Sequence, residues 1–352
     1  MRVLVVDDSA FYRKLLREAL GVLDVEVVGV AHHGKMALDK IEELRPDLIT
    51  LDLEMPELDG LGVLRELKRR NSSVGVIVCT ALNAAAARTT IAALEGGAFD
   101  LLPKVQDGFA PAEAMQSLIN ELRPRVKAFE QSRTPLAPPT PVVAAPPPPR
   151  PMIPGASAEV VVLGVSTGGP SALARLLPRL PASFPVPILI VQHMPPLFTK
   201  SLAEDLARSC AVKVSEAMNG DRPRPGTVLI APGGKQMRVV IGSAGPEIRI
   251  TDDPPERNCR PSVDYLFRSA ADIYGGRTLA AILTGMGDDG TAGCRAIKSC
   301  GGTILTQDAA SCVVYGMPRS VTEAGLSDGA FDLDKLADEL TRRVAKRGWA
   351  VA

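Results

Sequence analysis

Two sets of side chains in this chain could do chemistry, and each stands where an apolar run gives way to a polar turn. The first set is Asp7, Asp8, Asp52, Thr80 and Lys104. Three carboxylates gathered on one rim repel one another unless a cation sits among them. Mg2+ suits such a site, because it takes a few carboxylates, several waters and a phosphate. One carboxylate could then attack a phosphoryl group and form an acyl phosphate. The lysine and the hydroxyl would balance charge on the phosphoryl oxygens. A single acid at a strand end is most often a helix cap or a surface charge; the five-residue set, in this order, points to phosphoryl chemistry.

The second set begins at Ser166, in the run Val160-Val-Val-Leu-Gly-Val-Ser-Thr-Gly-Gly-Pro. This pattern reads as a strand, a glycine-rich turn and then a helix. Glycine permits turn geometry that strains other residues, and a helix N-terminus offers free N–H groups to an oxyanion or a phosphate. The segment alone also fits a tight turn capped by Ser166 or Ser171. It lacks the G-x-G-x-x-G spacing of a dinucleotide loop. Gly164-Val-Ser166-Thr-Gly168 fits the G-x-S-x-G elbow of α/β hydrolases, whose chain order is serine, acid, histidine. Of the three histidines only His193 follows the serine, and no Asp or Glu lies between Ser166 and His193, so that order fails. The order serine, histidine, aspartate remains. His193 follows the apolar run Ile188–Val191. The acid would come from Leu283-Thr-Gly-Met-Gly-Asp-Asp-Gly-Thr, which holds both Asp288 and Asp289 and could equally be a turn and cap.

Both sets need strands to carry them. Apolar runs at Val3–Val6, Val25–Val30, Leu48–Leu51, Val74–Cys79 and Asp100–Leu102 alternate with helix-like stretches at Phe11–Leu20, Lys35–Leu44, Gly62–Arg70, Ala84–Glu95 and Pro111–Phe129. This alternation predicts a five-stranded, doubly wound parallel sheet, with ligands beyond the carboxyl ends of its strands. The pattern resumes with strands expected at Val160–Leu163, Ile188–Val191, Thr227–Ala231 and Thr278–Leu283. Helices are expected at Ser171–Leu177, Lys200–Cys210, Val263–Ile273 and Gly290–Ser299. Both halves are α/β, the second with a mainly parallel sheet. Between them, 131–157 holds ten of the chain's 30 prolines, the composition of a semi-stiff spacer.

A chain of 352 residues fits about two domains. Apolar residues make up 46% and charged residues 23%, and 40 Lys+Arg balance 40 Asp+Glu. These values exclude a wholly disordered chain and a dominant nucleic-acid footprint. No apolar run approaches the roughly 18 residues of a membrane span. The N-terminal run meets Asp7 and Asp8 too soon for a secretion signal. The six cysteines form no C-x-x-C pair, the usage of reduced thiols in a cytoplasmic protein. One histidine and scattered cysteines make a poor metal ligand set for the second half. His32 and His33 fall at a helix start, where surface or capping roles are expected.

The stretches V-V-D-D-S, L-D-L-E-M-P-E-L-D-G, C-T-A and L-P-K strongly resemble the receiver domain of two-component response regulators. The resemblance implies that Asp52 is the phosphoacceptor, that Asp7, Asp8 and Asp52 hold Mg2+, and that Thr80 and Lys104 sense the phosphoryl group. Two positions depart from the receiver pattern. Leu101 stands where an aromatic switch residue is common, and Val105 where proline commonly follows the lysine. In the second half G-V-S-T-G-G, V-Q-H-M-P, I-A-P-G, R-P-S-V-D-Y-L-F, L-T-G-M-G-D-D-G and Q-D-A-A-S-C-V-V-Y-G-M-P resemble the catalytic domain of the chemotaxis protein-glutamate methylesterase (CheB) family, which also deamidates glutamine.

The two resemblances imply a receiver at 1–125, a Pro-rich linker at 126–157 and a methylesterase domain at 158–350. They imply Ser166 as nucleophile, His193 as base and Asp289 as the triad acid, with backbone N–H groups of Thr167, Gly168, the rest of the Ser166–Gly169 turn and Met286 supporting the oxyanion. They also imply methyl-accepting chemoreceptors as substrate, a chemotaxis histidine kinase as phosphodonor, no cofactor in the esterase site, and a receiver that occludes that site until Asp52 is phosphorylated. Asp288 replaces the family's usual asparagine, an extra negative charge expected to raise neighbouring pKa values. Gln236 stands where histidine is expected, outside the triad. Other readings of the same residues are an esterase or amidase acting on another protein, and a receiver fused to a non-enzymatic adaptor. A DNA-binding output would need a basic reading face, which the second half lacks.

Overall fold

Apolar runs that end in polar turns build the strands, and side-chain caps start several of the helices. The computed structural model describes residues 1–105, 108, 110–133 and 158–345. In the first unit β1 (Arg2–Val6), β2 (Glu26–Ala31), β3 (Leu48–Asp52), β4 (Gly75–Thr80) and β5 (Asp100–Pro103) alternate with α1 (Ala10–Val22), α2 (Gly34–Leu44), α3 (Gly60–Arg69), α4 (Ala84–Glu95) and α5 (Pro111–Arg133). The strands pair in parallel in the order β2-β1-β3-β4-β5. Ser9, His33, Asp59 and Asn83 each accept a backbone N–H and so cap α1 to α4, satisfying donors that a helix start leaves unpaired. His33 is thus a cap.

Helix α5 continues through Arg133, past the boundary expected at 125. Its apolar stripe does not stop there. Leu118, Leu122, Val126 and Phe129 are all buried, and Phe129 meets Phe99 edge to face at 5.2 Å. The rest of the expected Pro-rich linker, 134–157, and the last five residues of the expected catalytic domain, 346–350, lie outside the described residues.

The chain divides into two compact units. The second runs β6 (Val160–Val165), α6 (Gly169–Leu176), β7 (Ile188–Gln192), α7 (Phe198–Ser209), β8 (Lys213–Glu216), β9 (Thr227–Ile230), β10 (Gln236–Gly242), β11 (Gly245–Thr251), α8 (Val263–Tyr274), β12 (Thr278–Ile282), α9 (Thr291–Ser299), β13 (Thr303–Gln307), α10 (Met317–Glu323), β14 (Ala330–Phe331) and α11 (Leu333–Val344). Seven strands form one parallel sheet in the order β14-β13-β12-β6-β7-β9-β8. Strands β6, β7 and β12 are wholly buried, as a sheet covered on both faces requires.

The β10–β11 hairpin is antiparallel and was not expected. Its signal is alternation, with Met237, Val239 and Ile248 buried against α8, not an apolar run. The edge strands β8 and β14 are too short to leave a pattern. Among the described residues no helix is long and apolar enough to cross a membrane.

Candidate active site and phosphorylation pocket

In the first unit, strand register brings the acidic set together. Val6 pairs with Leu51, so Asp7 and Asp52 come next at one level; Asp52 pairs with Cys79, and Thr80 with Pro103, which precedes Lys104. The rim lies where the strand order turns back between β1 and β3, the crevice in which open α/β sheets bind ligands. Asp8, Asp52, Thr80 and Lys104 line a cavity of about 210 Å³.

Lys104 Nζ donates to Asp52 Oδ2 at 2.7 Å and lies 3.0 Å from Asp7 Oδ2. The buried Asp7 Oδ2 thus has the Lys104 ion pair as its partner. Burial pushes the Asp52 carboxyl above its usual range and Asp7 adds to the rise, while Lys104 opposes it. One oxygen from each of Asp7, Asp8 and Asp52 falls within 4.8 Å of the others. Three hard oxygen donors gathered at this spacing, with a single ammonium to balance two of them, fit a divalent cation of the Mg2+ type.

Thr80 Oγ1 faces Thr90 Oγ1 at 2.8 Å. Leu101 is packed into the core. The Val105 N–H, which proline would lack, donates to Tyr12 Oη at 3.0 Å. Lys104 Nζ sits 5.0 Å from the centre of the Tyr12 ring. Tyr12 and Arg13, whose Nη1 donates to the carbonyls of Asp7 and Asp8 at 2.8 and 2.9 Å, were not among the sequence candidates; both reach the rim from the first turn of α1.

In the second unit the strand order turns at β6, flanked by β12 and β7. Val165 pairs with Gln192 and Ile282 with Gly164, so Ser166, His193 and the 283–289 loop leave adjacent strands on one rim. Ser166 N–H donates to the Thr284 carbonyl at 3.0 Å, and Thr284 Oγ1 donates to the Thr167 carbonyl at 2.9 Å. Gln192 Nε2 spans the carbonyls of Ser166 and His193 at 3.0 and 3.1 Å. The Ser166 loop is therefore tied to both neighbouring strand ends. Gly168 holds φ at 78°, a left-handed geometry suited to glycine. A Cβ on Gly285 would lie 2.7 Å from the Ser166 Cβ, so close approach demands glycine there too.

Of the two adjacent acids, Asp289 is the one at the histidine. Its Oδ2 lies 2.8 Å from His193 Nε2 and accepts Val263 N–H at 2.8 Å, while its Oδ1 accepts Ser262 Oγ and Asp264 N–H at 2.9 Å each. The carboxylate thus sits at the N-terminus of α8, which favours negative charge. Burial alone would raise its pKa, but His193 and the α8 amides hold it below the usual range. Burial also works against the His193 cation; the Asp289 carboxylate, with the Cys259 thiol, more than offsets it and raises the histidine pKa.

Asp288 points elsewhere and pairs with Arg257, which also reaches Asp264 Oδ2 at 3.2 Å. The extra charge is neutralised there, against the expectation that it would raise pKa values around the site. Gln236 is buried. It accepts Ser262 N–H at 2.9 Å and donates to the Pro254 carbonyl at 3.1 Å, which seats the residue that in turn holds Asp289.

Helix α6 has no side-chain cap. Among the described residues, the N–H groups of Gly168 and Met286 donate to no protein acceptor. The Gly169 N–H, expected among the donors of the turn, is already used by the Ser166 carbonyl at 2.8 Å. The Ser166 hydroxyl makes no hydrogen bond among the described residues. What touches His193 Nδ1 is Cys259 Sγ, at 3.8 Å. Ligand atoms of His193, Cys259 and Asp289 lie within 4.8 Å of one another, so the second half does gather a possible ligand set, which single-residue counting missed.

Two family models match the chain: a response regulator receiver domain over residues 3–120 and CheB methylesterase over residues 161–340. Among curated relatives, the protein-glutamate methylesterase/protein-glutamine glutaminase of Desulfotalea psychrophila is 46% identical, over 98% of each chain. The protein of that name from Nocardioides is 43% identical over 99% of this chain and 96% of its own. The crystal structure of the Thermotoga maritima CheB methylesterase catalytic domain matches with a TM-score of 0.52 and 43% identity, covering 53% of this chain and 98% of that one. With its receiver and its seven-stranded α/β unit, the chain belongs to the CheB methylesterase family of hydrolases.

Proposed function

We propose that the chain hydrolyses glutamate methyl esters on methyl-accepting chemoreceptors, and deamidates receptor glutamines, under control of phosphorylation at Asp52. The observation that carries the catalytic part is the His193–Asp289 contact of 2.8 Å beside the strand end that bears Ser166. The names of the relatives supply the substrate class.

The tautomer follows from the geometry. Asp289 accepts the proton on Nε2, so in the neutral imidazole Nδ1 carries the lone pair. Ser166 Oγ attacks the side-chain carbonyl carbon, and Nδ1 takes its proton. The carbonyl oxygen becomes an oxyanion, which the Gly168 and Met286 N–H groups, unused within the described residues, would bind. One such donor is worth about 3 kcal/mol in the transition state. His193 then returns the proton to the leaving methoxide, and methanol departs. Water, deprotonated by the same nitrogen, cleaves the acyl-enzyme to a glutamate carboxylate and restores Ser166. With glutamine, ammonia leaves in place of methanol. Asp289 holds the tautomer and stabilises the histidine cation. The Ser166 hydroxyl must turn to Nδ1 for the first step, as catalytic hydrogen bonds often tighten only with substrate bound.

In the receiver, an Asp52 oxygen takes the phosphoryl group from a chemotaxis histidine kinase. Asp7, Asp8 and Asp52 would hold Mg2+. When bound, Mg2+ neutralises charge on the phosphoryl oxygens. Lys104 follows the phosphoryl group, and the Thr80 hydroxyl exchanges its Thr90 partner for it. The phosphorylated state then favours an open catalytic site by its differential stability. The free thiols of all six cysteines suit a cytoplasmic protein.

Methanol release from methylated receptor membranes tests the reading. Ser166→Ala should lower kcat on the order of 10⁶-fold; equal release by both proteins would overturn the nucleophile. Asp52→Asn should keep the basal rate and lose stimulation by a small phosphodonor; stimulation that persists would overturn the regulatory part.

A further inference from the structure

The turn that carries Cys259 is built with care that the esterase reaction does not require. Glu256 and Cys259 exchange backbone hydrogen bonds of 3.1 and 2.7 Å. The two residues between them, Arg257 and Asn258, both take left-handed φ values of 49° and 62°, the pattern of a tight two-residue hairpin turn. Gln236 Nε2 holds the Cys259 carbonyl from below at 3.4 Å. This turn aims Sγ at His193 Nδ1, 3.8 Å away.

An imidazole lone pair and a thiol at that spacing match a soft metal. Zinc binds sulfur at about 2.3 Å and imidazole nitrogen at about 2.0–2.1 Å; an ion at those lengths from two atoms 3.8 Å apart would subtend an N–M–S angle of roughly 120°, near tetrahedral. The outer sphere is in place as well. Histidines that bind metal almost always donate their other ring N–H to a carboxylate, a backbone carbonyl or water, and His193 Nε2 meets the Asp289 carboxylate at 2.8 Å. The Cys259 thiol is partly exposed, so an ion can enter from solvent and keep waters in its remaining positions.

We propose that His193 Nδ1 and Cys259 Sγ form an inhibitory site for a thiophilic divalent cation of the Zn2+ class. Binding replaces the thiol proton with the metal and releases that proton to water. The metal also occupies the Nδ1 lone pair. The effect on activity rests on the reading of His193 as the base; the binding does not.

Two measurements on the full chain separate these points. Co2+ should produce a thiolate-to-cobalt charge-transfer band that Cys259→Ala removes and Cys300→Ala, at an exposed thiol, leaves in place. Zn2+ should inhibit methanol release reversibly, with recovery on adding EDTA. Measured against its own metal-free rate, Cys259→Ala should need at least about tenfold more Zn2+ for the same inhibition, since even outer-sphere changes cost 10–100-fold in metal affinity. No thiolate band in the unaltered protein, or equal Zn2+ sensitivity in the variant, would overturn the site. A Cys259-dependent band in a protein that releases no methanol would support the site and sink the esterase reading.

Discussion

The two units place their functional groups by the same rule and finish them in opposite ways. Each uses the carboxyl ends of parallel strands at the point where strand order turns back. In the receiver two acids share one ammonium: Lys104 Nζ stands 2.7 Å from Asp52 Oδ2 and 3.0 Å from Asp7 Oδ2, and burial with a like charge lifts the Asp52 pKa. In the catalytic unit Asp289 has four donors and a lowered pKa. The first rim holds electrostatic strain that a cation and a phosphoryl group would relieve. In the second, hydrogen bonds already in place fix the Asp289 carboxylate against His193, the preorganisation that the proposed reaction would need. The contrast is confined to the carboxylates: Asp7 and Asp52 share one ammonium, whereas every donor around Asp289 holds that side chain in place against His193.

The sharpest way to break this contrast is Asp289→Asn. The amide would turn an N–H₂ toward at least one of the α8 donors and would spoil the histidine tautomer. A fall in kcat of about 10⁴-fold is expected, with destabilisation of about 2 kcal/mol from the donors left unpaired. Urea denaturation with methanol-release kinetics on the same protein checks both; unchanged stability would mean that Asp289 is not held as described.

Next in size is the response to Mg2+. At a hundred times its Kd, Mg2+ should stabilise the receiver by about 2.7 kcal/mol. Asp7→Asn should remove that gain, while Ser166→Ala should not change it. Calorimetry that resolves the two units would show the shift on one transition only.

Asp52→Asn carries the opposite sign from Asp289→Asn. Without Mg2+ it removes a charge that burial and Asp7 disfavour, and the receiver should gain stability in urea denaturation. A loss instead would mean that the Lys104 contact outweighs the repulsion.

The smallest effect belongs to Val105→Pro. The change deletes the N–H that donates to Tyr12 Oη and should cost about 1 kcal/mol of receiver stability. Chemical denaturation is the readout, and no loss would show that the buried phenol finds another donor.

Much of this was legible in the residues. The parallel strands that carry both sites read as apolar runs because they are buried on both faces, and the reactive side chains read as the polar residues that end those runs. The β10–β11 hairpin was missed because its face-to-face alternation is half-polar, and the edge strands because two to four residues leave no period. Helix α5 outran its expected domain limit because an apolar stripe, not a change of composition, sets where it stops packing.

By itself the sequence determined that both halves are α/β, which residues stand at strand ends, and, by counting histidines, that only the order serine, histidine, aspartate was open. Family motifs pointed to Asp289 over Asp288. Tertiary structure alone decided that Asp289 meets His193 while Arg257 draws Asp288 away, that Gln236 seats Ser262 beneath Asp289, and that the Cys259 thiol reaches His193 Nδ1. The reason is physical. A strand's burial and its end are local properties of its own residues, whereas these contacts join loops from distant parts of the chain, and their meeting depends on sheet order, strand register and the direction of each turn.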